Sequence, residues 1–109
     1  MAVYLLIETK NPLDGGTYAF ELGKQLKAER HDVTVFLLQD AVFVARQSFK
    51  AGAGLRKEAR SQGLRVLADE VALRERGLVG DRVAKDVDVS TMDELVDLLM
   101  EHSDKAIWH

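Results

Sequence analysis

The sequence predicts a single α/β domain, a mostly parallel sheet of about five strands with helices on both faces. Three observations carry this. Short continuous apolar runs recur along the 109 residues. Such runs suit strands covered on both sides. Between them lie segments with helical apolar spacing or helix-capping signals. Regular alternation of the two is the pattern of parallel α/β folds. The length fits one domain, residues 1–109, able to bury about two-thirds of its unfolded surface without metal or disulfide.

Each element follows from its residues. Val3–Ile7 (VYLLI) is too short for a helix and reads as a buried strand. Asn11-Pro12 and Asp14-Gly15-Gly16 punctuate a loop. A helix is expected over Thr17–Arg30, with Ala19, Leu22 and Leu26 on one stripe. Val33–Leu38 (VTVFLL) is the second strand. Asp40 is expected to cap a short helix, Ala41–Ser48. By propensity that segment could equally be a strand. Ala51-Gly52-Ala53-Gly54 reads as a flexible loop, and Leu55–Gln62 as a polar helix closed by Gly63. Leu64–Ala68 is the third strand. Asp69–Arg76 is a helix closed by Gly77, with Leu78 placed for the apolar contact of such caps. Asp86–Val89 is a brief strand. Thr91-x-x-Glu94 is a capping box opening Met92–His102, and Lys105–His109 is the last strand.

Composition narrows the function classes. Apolar residues at 47% and charged residues at 30% exclude disorder. A net charge of −3 offers no basic footprint, so direct nucleic-acid binding is not expected. Bases interleaved with acids, as in Lys57-Glu58-Ala59-Arg60, read as solvated helix faces. No cysteine is present, which excludes disulfides and thiolate zinc sites. Neither a basic leader nor an apolar run of about 20 residues occurs, so a cytoplasmic protein without a membrane span is expected.

In parallel sheets, ligands bind beyond the carboxyl ends of the strands. Three loops fall there, and their polar members include Glu8, Thr9 and Lys10. The candidate pocket takes Asn11, Gly15 and Gly16 from the first loop and Asp40 from the second. Ala68, Asp69 and Glu70 come from the third. The Asp14–Thr17 turn either holds an anion at a helix start or is simply a tight turn. Neither GxGxxG nor GxxxxGKT occurs, so no dinucleotide or P-loop site, and no cofactor, is expected. Asp40 and Asp69 are either a pair of carboxylates for acid–base or cation work or two helix caps. His31, His102 and His109 have no metal-ligand spacing, so no metal site is expected. The Val42-Phe43-Val44 run is either deep core or a subunit contact. Trp108 either anchors an interface or covers its own sheet edge.

Three segments carry a family resemblance. Thr34–Val42 (TVFLLQDAV) resembles the second strand, turn and apolar helix of the DsrE/DsrF/DsrH superfamily. Val66–Leu78 (VLADEVALRERGL) resembles its third strand and the following helix. Ser90–Trp108 (STMDELVDLLMEHSDKAIW) resembles its closing helix and strand. Relatives that carry sulfur have a cysteine just after the third strand, a place that falls here near Ala68 or Asp69. A persulfide needs a thiolate, and neither residue provides one. In that respect the chain is similar to the cysteine-free DsrH/TusB-like branch. The resemblance implies a flavodoxin-like three-layer α/β/α fold and a homo- or hetero-oligomer of related subunits. It implies a non-catalytic partner role in intracellular sulfur relay, such as tRNA thiolation or sulfur oxidation. Val42, Phe43, Val44 and Phe49 are the expected contact. The alternatives are a small-ligand or anion-binding module of the same fold, or an enzyme using Asp40 or Asp69.

Overall fold

The computed structural model describes residues 1–109. Five strands, β1 (Val3–Glu8), β2 (Asp32–Leu37), β3 (Arg65–Asp69), β4 (Asp88–Ser90) and β5 (Lys105–Trp108), form one sheet in the order β4-β3-β2-β1-β5. Every pairing is parallel. The first three crossovers join neighbouring strands. The last, through α4 (Met92–Glu101), carries the chain from one edge strand to the other, so β5 pairs with β1.

Strand period sorts the side chains onto two faces. Leu6, Val33, Val35, Leu37 and Val66 enter a large core shared with α1 (Tyr18–Ala28), α2 (Lys50–Ser61) and α3 (Glu70–Glu75). Leu5, Ile7, Phe36, Leu38 and Leu67 enter a smaller core closed by Leu95 of α4, with Leu98 and Leu99 against it. Both faces are covered, which explains why the strands read as continuous apolar runs.

Local capping signals hold. The Asp69 side chain accepts a 3.0 Å bond from Ala72 N at the start of α3. After α3, Gly77 has a φ of +69°, and Leu78 N donates to Leu73 O at 2.9 Å. Thr91 Oγ1 accepts from Glu94 N at 3.1 Å. Only that half of the box forms, because Glu94 Oε1 bonds Ser90 Oγ instead.

Two expectations fail between β2 and β3. The segment expected as a short helix over Ala41–Ser48 is a 3₁₀ helix, Gln39–Ala45, entered through Gln39 at a φ of +50°. Leu38, extended and without a side-chain cap bond, occupies the N-cap place, so Asp40 is not a cap. Ala51–Gly54 is not a loop but the first turns of α2. Tertiary packing outweighs the poor helix propensity of glycine there. A Cβ on Gly52 would lie 2.8 Å from Val44 O, so α2 approaches the 3₁₀ helix as only glycine allows.

The same 3₁₀ helix settles the apolar run. Val42 and Val44 are 0% exposed, packed in their own subunit's core, and this removes them from the expected oligomer contact. Phe43 and Phe49 are half-buried. Trp108, in the edge strand β5, is 62% exposed.

Candidate functional site

The carboxyl edge of the sheet is where the sequence places a site, and β1 ends there at Glu8. This carboxylate is 0% exposed. An isolated buried charge is costly, so its partners decide its role. Backbone N–H groups of Thr9 and Lys10 donate to Oε2 at 3.1 and 3.2 Å, and Ala19 N at the start of α1 donates to Oε1 at 3.2 Å. His109 Nδ1 faces both oxygens at 2.9 and 2.8 Å. An ionised carboxylate only accepts, so the imidazole donates through Nδ1–H. The Tyr18 ring lies over the imidazole with centroids 4.3 Å apart, and Thr9 Oγ1 donates to His109 O at 3.0 Å.

A carboxylate-oriented imidazole is half of an acid–base triad. No side-chain hydroxyl or thiol of the chain bonds Nε2. What the pair does accomplish is mechanical: it fastens the end of β5 to the end of β1 and to the first turn of α1. His31 is also occupied inside the fold, accepting from Ala2 N at 2.9 Å.

Asn11 and Asp40 are likewise engaged within the chain. Asn11 Oδ1 accepts from Leu13 N, and Asn11 O accepts from Asp14 N and Gly16 N, which builds a closed turn. Gly15 takes a φ of +85° in it, and a Cβ on Gly16 would sit 2.0 Å from Lys10 O. Asp40 Oδ1 pairs with Arg76 Nη2 at 3.0 Å and Nε at 3.1 Å. Ala68 is 0% exposed, and Asp69, at 5%, is the α3 cap. Asp69 Oδ1 is buried without a partner.

These residues do not gather into one pocket. Asn11 lines a cleft of about 230 Å³ with Leu13, Phe43, Arg46 and Phe49. Glu70 lines another depression with Leu73, Val83 and Val89. A cleft of about 530 Å³ and one of about 240 Å³ contain Arg56, Arg60 and Lys85, and a third of about 380 Å³ is lined by Phe43, Arg46 and Arg76. Arg56 belongs to a segment that reads as a solvated face, yet it is only 5% exposed. Its spacing from Gly52 and Ala59, i to i+4 to i+7, is the signal that could have found it.

A family model described as "DsrE/DsrF-like family" matches residues 1–108. Among solved structures, the ychN protein from E. coli superposes with a TM-score of 0.88 at 18% identity, over 100% of both chains. A protein of unknown function from Methanobacterium thermoautotrophicum, MTH1491, superposes with a TM-score of 0.80 at 23% identity. That match covers 98% of this chain and 97% of the other. At these identities the likeness concerns the fold. No curated protein matches the chain. No helix is long and apolar enough to cross a membrane.

Proposed function

The chain belongs to the DsrE/DsrF-like family, and from that premise we propose that it is a non-catalytic, cysteine-free subunit of an intracellular sulfur-relay assembly. It holds a related, cysteine-bearing subunit in place, in the manner of the DsrH/TusB-like branch, in tRNA thiolation or sulfur oxidation in the cytoplasm. The observation that carries this reading is the end of β3. Ala68 and Asp69 stand there, one sealed in the core and the other holding α3. No thiol stands there or anywhere else in the chain. Sulfane sulfur therefore has no carrier within this subunit.

A supporting feature is the outer side of α4. Met92, Val96 and Met100 recur every fourth residue and are 49%, 49% and 78% exposed. An apolar stripe of this kind suits a subunit contact better than solvent. It replaces the contact expected at Val42 and Val44, and Trp108 remains an anchor of the same kind.

Two measurements test this. Incubation with a persulfidated donor, followed by intact-mass analysis, should show no reducible gain of one sulfur. Sedimentation at micromolar concentration, alone and mixed with a cysteine-bearing homologue, should show association that Val96→Glu with Met100→Glu abolishes. A monomer in both samples would sink the subunit reading.

A further inference from the structure

We propose that the cleft between α2 and the Gly80–Arg82 turn binds a phosphate group, free or carried as a monoester on a small molecule. Arg56 forms its floor. The cleft has a volume of about 530 Å³, and Val83 is the one apolar residue among the eight that line it. That volume falls in the usual range for small-molecule sites.

The decisive group is the Arg56 guanidinium, whose side chain is 4% exposed. Burying this cation is costly unless its donors are met. Nε donates to Asp86 Oδ1 at 2.8 Å. Nη1 donates to Val44 O at 2.5 Å and, at 3.4 Å, to Arg46 O. Nη2 has no partner in the chain. Asp69 Oδ1 is the one fully enclosed side-chain polar atom left unbonded, so Nη2 is not fully enclosed, and Arg56 lines this cleft. Asp86 thus engages Nε and the two carbonyls engage Nη1, which leaves the N–H groups of Nη2. An anion's oxygen can accept from Nη2 in a charge-assisted bond.

The surroundings suit the same ligand. Arg60 stands one helical turn after Arg56 on the same face of α2. Arg60 and Lys85 are exposed, line the cleft, and form no ion pair. An adjoining cleft of about 240 Å³ shares Arg56, Arg60 and Lys85 and adds Arg65, which pairs with Glu94, and the carboxylate Asp88. Against these cations stand Asp86, already committed to Arg56, and Asp81 at the opposite wall. Gln47 supplies a neutral donor. Gly52 makes the arrangement possible, since a Cβ there would come within 3.2 Å of Arg56 Nη1.

The test is a titration of the whole protein followed by backbone amide NMR, at low salt, with potassium chloride as the ionic-strength control. The probes are inorganic phosphate, glycerol 3-phosphate and uncharged glycerol. Saturable shifts are expected at Gln47, Gly80 and Asp81 with both phosphates and not with glycerol. Similar affinity for the two marks a site for the free ion, and tighter glycerol 3-phosphate binding marks a monoester site. The double variant Arg60→Gln with Lys85→Gln should weaken binding at least tenfold at an unchanged melting temperature. Arg56→Lys, which keeps the charge and loses the fork, should weaken it as well. Shifts that do not saturate, or that chloride reproduces, overturn the proposal. So does undiminished affinity in the double variant.

Discussion

The carboxyl edge of the sheet and the Arg56 cleft both carry charged side chains, and they use them in opposite ways. At the edge, Glu8 has three backbone donors and His109, Asp40 has Arg76, and Asn11 closes its own turn. At the cleft, Nη2 of Arg56 is unmet, and Arg60 and Lys85 are unpaired. The edge occupies the conventional place for a ligand in a parallel sheet, yet Glu8 and His109 are consumed in joining β1, β5 and α1. Position in a fold suggests where to look. The state of the hydrogen-bond inventory says whether anything is left to bind with.

Breaking the edge should therefore cost stability, whereas stripping the rim of the cleft should not. The largest effect is expected from Glu8→Ala. It strands buried N–H groups and the imidazole together, and should lower unfolding free energy by about 3 kcal/mol in urea titrations. A loss below about 1 kcal/mol would mean the edge is not the latch described here.

Gly52→Ala comes next, at about 2 kcal/mol of destabilisation, because the new Cβ meets Val44 O and the Phe49 ring at 2.8 Å. Its control is Gly54→Ala, two residues on in the same helix with nothing within 4 Å, which should stabilise by about 0.5–1 kcal/mol. Equal signs for the pair would remove the close approach of α2 as the reason for glycine. Asp69→Ala should cost about 1 kcal/mol as a lost cap, and Asp69→Asn less, since asparagine caps equally well. Chemical denaturation of the three proteins in parallel decides it. The smallest effect belongs to the cleft, where Arg60→Gln with Lys85→Gln should move stability by no more than about 0.5 kcal/mol. A large loss in that double variant would show that the cleft, like the edge, spends its charges on the fold.

The parts of this structure that were legible in the sequence are the local ones. Strand runs buried on both faces, the Asp69 and Thr91 caps and the Gly77 ending all depend on residues a few positions apart. What escaped reading is what the crossover brings together. Glu8 and His109 are 101 positions apart and meet because β5 inserts beside β1. Asp40 lost its capping role because Gln39 enters a 3₁₀ helix, and Arg76, 36 positions on, took the carboxylate. The buried stripe of α2 consists of Gly52, Arg56 and Ala59, two small residues and a cation, so it has none of the apolar bulk by which a core face is recognised. The net charge of −3 also concealed that several bases collect along one cleft.

The second face of the sheet depends on a single helix. The large core joins 19 buried residues of the sheet, three helices, the 3₁₀ helix and their connections, whereas the small one has 6 and only α4 to close it. Lifting α4 uncovers Ile7, Phe36 and Leu67 at once while the larger core stays assembled, which makes α4 and the edge strand β5 a natural unit of partial opening. Amide hydrogens of α4 would then exchange through this smaller event, ahead of those in β1 and β2. A subunit seated on Met92, Val96 and Met100 would hold that unit shut, so association would register as slowed exchange in a helix whose inner side never touches the partner.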